Sequence, residues 1–230
     1  MKVREDNPFE QEEVAREWIN SVENERGLIR DNELYPLLIN WASKVQPKTI
    51  VEIGSGQGIL ADKVQLQGTK YIGIEPSSFL VERAKEIYSH ADREFVVGNA
   101  YNVPLADDVA DTVLSVNVWF HLEDLAGASK ELFRILKPGG NFLIVTSNPA
   151  SNDAWEGFFL KYDKDGKKLD GKIRVPINPL TRSLMFLHSL EEIKEALTQA
   201  GLNITTITEF GYVNEDKSRA LFVWIEGRKR

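Results

Sequence analysis

Residues 49–64 read Thr49-Ile50-Val51-Glu52-Ile53-Gly54-Ser55-Gly56-Gln57-Gly58-Ile59-Leu60-Ala61-Asp62-Lys63-Val64. The first five residues form a β-branched, apolar run that predicts a short strand. Three glycines follow within five positions, and the residues after them have the composition of a helix. We therefore expect a strand, a glycine turn and a helix. Such a turn can hold a ligand, because glycines allow close approach to the backbone and a helix start offers free N–H groups.

Strands and helices continue to alternate after this turn. Four more short apolar runs predict strands, namely residues 71–74, 95–97, 111–116 and 142–146. The alternation predicts a parallel sheet with helices on both faces. Two last runs, residues 204–210 and 220–225, flank a polar connection and predict an antiparallel pair. The sequence thus predicts a single α/β domain over residues 1–230.

Two segments do not follow this alternation. Residues 1–46 contain two helical patterns and predict a helical N-terminal extension. Residues 148–188 have no regular period and predict an inserted cap, which we expect to be rich in loops. The cap carries a group of aromatic residues: Trp155, Phe158, Phe159 and Tyr162. These rings either pack as the core of the insert or form a pocket for a ligand.

Composition and charge argue against several classes of protein. The 230 residues carry 28 Lys and Arg against 35 Asp and Glu, a net charge of −7, whereas proteins that bind the nucleic-acid backbone have a basic surface. The chain has no cysteine, which excludes disulfides and thiolate metal sites. Its charged N-terminus is unlike a secretory signal, and no apolar stretch has the length of a membrane span. We therefore expect a cytoplasmic protein that binds no nucleic acid.

The spacing of the glycines narrows the choice of ligand. A dinucleotide fingerprint is G-x-G-x-x-G, but Ile59 stands at the place of its third glycine, and the Gly-Lys-Ser/Thr end of a phosphate loop is absent. Glu75 ends the next predicted strand 21 residues after Gly54, so it should lie beside the turn at the same sheet edge. A carboxylate there can accept hydrogen bonds from both hydroxyls of a ribose. A tight turn without a ligand and a solvated Glu75 are the alternatives.

Five blocks of sequence stand in a fixed order: residues 51–58 (VEIGSGQG), 74–77 (IEPS), 98–107 (GNAYNVPLAD), 115–124 (SVNVWFHLED) and 134–140 (RILKPGG). In this order they resemble the blocks of class I S-adenosylmethionine-dependent methyltransferases. The resemblance covers about residues 48–147, and residues 189–201 are similar to the last helix of that family. The subgroup that the chain resembles is the small-molecule type, which includes ubiquinone/menaquinone-biosynthesis-like methyltransferases.

The resemblance implies a fold and a cofactor. The fold is a Rossmann-like, mostly parallel seven-stranded sheet with helices on both faces and an antiparallel last strand. The cofactor is S-adenosyl-L-methionine, which carries a net charge of +1 and no phosphate. The acidic side chains of Glu52 and Glu75 suit that ligand better than they suit a pyrophosphate.

Carried over position by position, the resemblance also implies roles for single residues. The family more often has aspartate at the position of Asn99, but an amide oxygen can still accept a hydrogen bond from the adenine amino group. The methionine part of the cofactor is expected near Gly54, Ser55, Gly56 and Gly58, the ribose near Glu75, the adenine near Asn99 and Ala100, and the sulfonium near Asn117 and Val118. Glu52 and Pro76 are further expected cofactor-binding residues.

The acceptor site is predicted from residues that lie far apart in the sequence. The sulfonium already activates the methyl group, so a base is needed only if the acceptor is a hydroxyl or a protonated nitrogen. His121, just after the fourth predicted strand, is the candidate base, and a structural role is its alternative. The spacing of the histidines does not indicate a metal site. We expect an apolar acceptor pocket formed by Tyr35, Trp119, Trp155, Phe159 and His188.

The predicted function is therefore transfer of a methyl group from S-adenosyl-L-methionine to a small-molecule acceptor. Two alternatives stay open. A non-catalytic module would bind the cofactor and turn over no acceptor. An NAD(P)-dependent oxidoreductase would bind NAD, although the missing third glycine argues against it.

Overall fold

The computed structural model describes residues 7–24, 29–151, 172–178, 181–213 and 216–230. Within these residues, seven strands form one sheet in the order β3-β2-β1-β4-β5-β9-β8, and β6 and β7 form a separate hairpin. The strands are β1 Thr49–Ile53, β2 Lys70–Glu75, β3 Arg93–Val97, β4 Ala110–Val116, β5 Leu136–Ser147, β6 Lys172–Asn178, β7 Thr181–Phe186, β8 Leu202–Tyr212 and β9 Ala220–Lys229.

The direction of the strands confirms the predicted fold class. β1 pairs in parallel with β2 and β4, β2 with β3, and β4 with β5. β9 is antiparallel to both β5 and β8 and lies between them, so β8 runs in the same direction as the parallel strands. The carboxyl ends of β1, β2, β4 and β5 therefore meet at one edge of the sheet, together with the start of β9.

Three of the helices in the described part of the chain begin at a polar cap. Ser77, Asp124 and Ser189 accept hydrogen bonds from the first turns of α4, α5 and α6, and Ser189 forms a capping box with Glu192. No helix within the described residues is both long and apolar enough to cross a membrane. The helices are α1 Glu12–Asn24, α2 Tyr35–Val45, α3 Ala61–Val64, α4 Ser78–Tyr88, α5 Leu125–Ile135 and α6 Leu190–Gln199.

The apolar side chains form two cores, one on each face of the sheet. Val51 and Ile53 of β1 point into the core that α5 and α6 cover, which also contains Leu132 and Leu197. Ile50, directly before Val51, points into the other core, with residues of α2, α3 and α4. This alternation is the period of two that a strand buried on both faces requires. Fully burying one such aliphatic side chain stabilises a fold by about 1.5–3 kcal/mol.

The N-terminal part of the chain packs on the second of these faces. A short 3₁₀ turn, Pro8–Glu10, precedes α1, and a single π turn, Arg30–Leu34, precedes α2. Arg83 of α4 donates two hydrogen bonds to Glu23 of α1, at 3.0 and 2.7 Å. The Ser77 hydroxyl donates to the carbonyl oxygen of Phe9 at 2.5 Å. The N-terminal segment is thereby joined to the chain that follows β2.

The inserted segment differs from the loop-rich cap that its sequence predicts. β6 and β7 pair as an antiparallel hairpin with an irregularity between Pro176 and Asn178. Apolar and polar residues do alternate in β6, but Pro176 interrupts the pattern and reads as a strand breaker. The boundaries predicted for the N-terminal extension, residues 1–46, and the cap, residues 148–188, stay predictions.

The helix after the glycine turn and the strand after α5 also differ from the lengths that the sequence predicts. The helix that follows the turn, α3, has four residues. The strand expected at residues 142–146 is longer, because β5 begins at Leu136 and runs to Ser147. Leu136 pairs with Ala110 before a register shift. Because Pro138, Gly139 and Gly140 are uncommon residues in strands, the sequence does not predict that β5 begins as early as Leu136.

Candidate functional site

The glycine turn lies between the ends of β1 and β2. The N–H groups of Gly54 and Ser55 both donate to the carbonyl oxygen of Ile74, at 2.7 and 3.0 Å. Gly56 has a φ of +53°, and among the described residues no atom lies within 4 Å of the point that a Cβ would occupy. The backbone at Gly56 is therefore open to close approach by a ligand.

The other two glycines of the turn face protein. A methyl group on Gly54 would lie 2.2 Å from Cγ2 of Val118, and one on Gly58 would lie 2.8 Å from the ring of Phe95. Gly54 thus allows the chain after β4 to cross the turn, and Gly58 allows the turn to pack on β3. Packing alone accounts for glycine at these two positions, whereas it does not account for Gly56.

Glu75 ends β2 with its carboxylate against the turn. Its Oε2 atom accepts a hydrogen bond from the N–H of Gly56 and its Oε1 atom from the N–H of Ser77, both at 3.0 Å. The side chain is 6% exposed. Burial raises the pKa of Glu75 to about 7, although the N–H groups of Ser77 and Gly56 lower it in part, and Glu10 raises it. The prediction that Glu75 lies beside the turn at this sheet edge agrees with its position here.

Glu52 is buried on the face of the sheet that α2 and α3 cover. The Tyr71 hydroxyl donates a hydrogen bond to its Oε2 atom. Burial raises the pKa of Glu52 to about 8, against the lowering effect of Tyr71, and the neighbouring Glu75 raises it as well. Burial also raises the pKa of Tyr35, and the charge of Glu52 raises it further. Glu52 and Glu75 therefore form a pair of buried acids close to the turn.

The loop after β3 is folded against itself at the next position along the edge. The Asn99 side-chain oxygen accepts from the N–H of Tyr101 at 2.9 Å, and the Asn99 carbonyl accepts from the N–H of Asn102 at 3.2 Å. Ala100 is 6% exposed. Gly98 donates its N–H to the carbonyl of Glu75 at 3.1 Å, so this loop is joined directly to the end of β2.

The chain after β4 turns sharply across the glycine turn. Asn117 has a φ of +59°, a left-handed conformation that costs energy for a residue other than glycine, and its N–H donates to the carbonyl of Val145 at 2.8 Å. A short 3₁₀ turn, Trp119–His121, follows. Trp119 is 2% exposed and belongs to the core on the α5 side. The His121 ring packs on the ring of Phe120, with 4.3 Å between centroids.

A concave surface lies between this 3₁₀ turn and the end of β7. His188 makes a hydrogen bond of 2.6 Å between its Nε2 atom and the carbonyl oxygen of Leu122, and its ring stacks on Phe186 at 6.1 Å. Tyr35 is not brought to this surface, because it packs on the opposite face of the sheet. The lining residues are Trp119, Phe120, Thr146, Ser147, Pro149, Met185, Phe186, Leu187, His188 and Ile193.

A larger cavity, of about 390 Å³, opens where β5 ends and β9 begins. Asn148 is 3% exposed there, and its amide nitrogen donates to Oε1 of Glu209 at 3.0 Å and to the carbonyl of Ala220 at 3.1 Å. The volume of the cavity is in the range of small-molecule sites. None of its lining residues was predicted from the sequence as a site residue; they are Asn148, Ala150, Ser151, Glu209, Ser218, Arg219 and Ala220.

Residues 51–144 match the family model described as a methyltransferase domain. This stretch begins in β1 and ends in β5, so it contains the glycine turn, Glu75 and the chain after β4. Over these residues the chain is similar to the S-adenosylmethionine-dependent methyltransferases.

Individual relatives of this methyltransferase domain agree with the family match. A probable S-adenosylmethionine-dependent methyltransferase of Mycolicibacterium smegmatis is 33% identical over 107 residues, which are 46% of this chain and 41% of that protein. The match spans about two fifths of that relative's length. The relationship therefore concerns less than half of either protein.

Solved structures share the fold over more of the chain. An S-adenosylmethionine dependent methyltransferase of Mesorhizobium loti superposes with a TM-score of 0.63 at 17% identity, over 82% of this chain and 96% of that one. A methyltransferase of Thermotoga maritima, described as a possible histamine N-methyltransferase, has a TM-score of 0.64 at 22% identity, over 95% of this chain and 99% of that one. These similarities establish the methyltransferase fold.

S-adenosyl-L-methionine is the cofactor of this methyltransferase family, and the residues present fit it. Within the described residues, neither Oγ of Ser55 nor Nε2 of Gln57 has a hydrogen-bond partner, although both side chains are buried, at 7% and 3% exposure. An unpartnered buried polar group is costly unless a ligand completes it. Together with the open backbone at Gly56 and the acceptor oxygens of Glu75, these groups can hold a ligand rich in hydrogen-bonding atoms.

Sequence reasoning about the methyltransferase missed Gln57 and Ser77. Gln57 stands between two glycines of the G-x-G-x-G pattern at a position that the pattern does not specify, so only its burial marks it out. Ser77 is fully buried and contacts both Glu75 and Phe9 through hydrogen bonds. The predicted pocket residues Trp155 and Phe159 lie outside the described residues of the chain.

Proposed function

We propose that this chain transfers a methyl group from S-adenosyl-L-methionine to a small organic acceptor. The proposal rests on the buried carboxylate of Glu75, which accepts a hydrogen bond from the N–H of Gly56. Gly56 is the glycine of the turn whose presence packing does not explain. A carboxylate at this position can accept hydrogen bonds from both hydroxyls of a ribose while its remaining lone pairs hold the turn.

The proposed cofactor site runs along the sheet edge. The ribose binds Glu75 beside Pro76, and the adenine edge meets the side-chain oxygen of Asn99 and the N–H of Ala100. The sulfonium lies near Asn117 and Val118, where the chain after β4 crosses the turn. The methionine part is held near the turn and the buried acid beside it: Glu52, Gly54, Ser55, Gly56, Gln57 and Gly58.

The bound cofactor supplies an activated methyl group, and the residues of this chain supply position. Orientation of two reactants can lower a barrier by roughly 7–11 kcal/mol. In the proposal, Val118 and Trp119 shape the wall between cofactor and acceptor. His121 lies next to this wall and serves as a base only for an acceptor that must lose a proton. An acceptor that is already nucleophilic needs no base.

Three observations support a small acceptor. The cavity beside Asn148 has about 390 Å³, and the surface beside Trp119 and His188 lies at the same sheet edge. The net charge of −7 disfavours a nucleic-acid acceptor. The Thermotoga maritima neighbour is described as a possible histamine N-methyltransferase, and histamine is a small amine. Membership of the ubiquinone/menaquinone-like subgroup and a cytoplasmic location stay predictions.

The cofactor test is a calorimetric titration of the whole chain with S-adenosylhomocysteine and, separately, with NAD. We expect micromolar binding of the first and none of the second. Glu75→Ala should weaken the binding at least tenfold, because two charge-assisted hydrogen bonds contribute roughly 1.5–3 kcal/mol each. Glu94→Gln is the matched control, since Glu94 is exposed on the neighbouring strand and pairs only with Lys70 at 3.6 Å among the described residues. Binding of NAD alone would instead support the oxidoreductase.

The activity test measures release of S-adenosylhomocysteine from S-adenosyl-L-methionine with a panel of small amines, phenols and carboxylic acids. Turnover of one class supports the proposal and identifies the acceptor chemistry. A chain that binds the cofactor and turns over no member of a broad panel is the non-catalytic binding module.

A further inference from the structure

Helix α5 holds the loop that follows β3 by the backbone of one residue. Val103 is 2% exposed. Its N–H donates to Oε1 of Glu131 at 2.7 Å, and its carbonyl oxygen accepts from Nη2 of Arg134 at 2.9 Å. Both polar groups of one backbone unit are thus bound by two side chains a single helical turn apart. Neither the fold of α5 nor its cap requires this arrangement.

The guanidinium of Arg134 has no free donor left. Nε and Nη2 donate to the two carboxylate oxygens of Glu131, at 2.9 and 2.7 Å. Nη1 donates to the carbonyl of Leu105 at 2.8 Å and to Oδ1 of Asp107 at 2.6 Å. With the bond to Val103, all five N–H donors of an arginine are used. A lysine has the same charge but three donors on a single nitrogen, so it cannot reproduce this planar set.

The clamped residue is joined to the proposed adenine site by a short and rigid piece of chain. The turn from Asn99 to Asn102 closes with a hydrogen bond of 3.2 Å, directly before Val103. Directly after it, Pro104 packs on Gly98, where an added methyl group would lie 2.5 Å from the proline ring. A shift of Val103 is therefore passed to both Asn99 and Ala100.

We propose that Arg134 and Glu131 are positioning residues for recognition of the 6-aminopurine ring. By holding Val103 from both sides, they fix the Asn99 side-chain oxygen and the Ala100 N–H at the spacing of the adenine amino group and ring nitrogen. This inference rests on the proposed function, since it requires that the adenosyl group binds at Asn99 and Ala100. Arg134 and Glu131 themselves touch no cofactor atom in this scheme.

The alternative is that the clamp only stabilises the fold. The two roles predict different changes in base selectivity, because a loss of global stability weakens the binding of all ligands alike. Adenine presents an amino donor and a ring acceptor, whereas hypoxanthine presents a carbonyl acceptor and an N–H donor at the same two places. A site held in position distinguishes them, and a loosened site does so less well.

The experiment measures the dissociation constants of S-adenosylhomocysteine and S-inosylhomocysteine by calorimetry on the same protein samples. In the wild type we expect the inosyl ligand to bind at least tenfold more weakly. Arg134→Lys should reduce that ratio to below threefold, mainly by weakening the adenosyl ligand. The ribose and homocysteine parts are common to both ligands, so contributions from Glu75 and the glycine turn cancel in the ratio.

Two further variants keep the result interpretable. Arg16→Lys is the matched control, because Arg16 forms an exposed ion pair with Glu12 within α1 and should leave the ratio unchanged. Glu131→Gln retains an oxygen for the N–H of Val103 but loses the two-point pairing with Arg134, and it carries the test if Arg134→Lys does not fold. Hydrogen exchange should be faster at residues 99–105 in both clamp variants than in the wild type.

The outcomes separate this inference from the proposed function. Folded clamp variants that keep the wild-type ratio would show that Arg134 and Glu131 only brace the loop. A wild-type ratio near one would show that Asn99 and Ala100 do not read the base, which also overturns the inference. A wild type that binds neither ligand contradicts the proposed function itself.

Discussion

The N–H of Gly56 donates a hydrogen bond of 3.0 Å to the carboxylate of Glu75, which stands 19 residues later in the chain. This bond joins the turn after β1 to the end of β2, and the second carboxylate oxygen joins β2 to the start of α4 through Ser77. One buried acid therefore organises the two turns that border the proposed cofactor site. Its protonation state becomes a property of the site as a whole.

Cofactor affinity should rise with pH between 6 and 8. The pKa of Glu75 is raised to about 7 in the free protein, and hydroxyl donors of a ribose favour the ionised form. The ionised fraction grows from about a tenth to about nine tenths over this interval, so affinity for S-adenosylhomocysteine should increase roughly tenfold. Glu75→Gln should bind more weakly and lose most of this dependence, whereas Glu94→Gln should keep it. Calorimetry at each pH provides the measurement.

Stability of the unliganded protein should change in the opposite direction. The folded-state pKa values of Glu75 and Glu52, about 7 and about 8, lie above the ordinary value of 4.5. The folded state therefore binds more protons than the unfolded chain between pH 4.5 and 8, and the resulting stability is lost as pH rises through the folded-state values. We expect a decrease on the order of 5 kcal/mol between pH 5.5 and 8 in urea unfolding, about 2 kcal/mol from Glu75 and about 3 kcal/mol from Glu52.

The variants Glu52→Gln and Glu75→Gln give the control for that measurement. An amide does not titrate, so each substitution should reduce the slope of unfolding free energy against pH. A stability that stays level or increases over this interval in the wild type would mean that the two acids are ionised in the folded state.

Two glycines of the turn should respond differently to alanine. Gly58→Ala would place a methyl group 2.8 Å from the Phe95 ring and 3.0 Å from Cβ of Ala84, an overpacking that costs about 1–3 kcal/mol of stability. Gly56→Ala meets no described atom within 4 Å and costs only about 1–2 kcal/mol for its left-handed φ. In the proposed site its methyl group occupies cofactor space. Gly56→Ala should therefore show the larger loss of affinity and Gly58→Ala the larger loss of stability.

Chemical denaturation and cofactor titration on both variants check this pair. Equal losses of affinity in folded protein would mean that the ligand approaches the turn along its whole length rather than at Gly56.

His121 should contribute little if the acceptor is already a nucleophile. Its ring packs on Phe120, and its N–H closes the 3₁₀ turn by donating to the carbonyl of Val118 at 2.8 Å. His121→Gln retains the backbone bond and should leave most of the turnover, measured as release of S-adenosylhomocysteine with an identified acceptor. A loss of a thousandfold or more with unchanged cofactor affinity would make His121 the general base instead.

The glycine turn and the position of Glu75 beside it could be predicted because they depend on local chemistry. The β-branched run before Gly54 and the glycines after it specify a strand and a turn within a few residues. Parallel strands bring their carboxyl ends to one edge, so the placement of Glu75 beside that turn follows from the alternation of strands and helices. The roles of the Asn99 loop and of the chain after β4 come from the resemblance to the methyltransferase blocks, and they stay predictions.

Contacts between distant parts of the chain decided the rest. The hydrophobic period and the composition do not tell which face of the sheet Tyr35 packs against. The sequence therefore predicted one pocket containing both Tyr35 and Trp119, whereas the two residues pack on opposite faces of the sheet. The clamp of Arg134 on Val103 joins residues 31 positions apart, and the cavity beside Asn148 includes Glu209, 61 positions away. Hydrogen bonds and burial of this kind arise only when the elements are packed together, because each depends on the distance and orientation of groups that the local sequence does not relate.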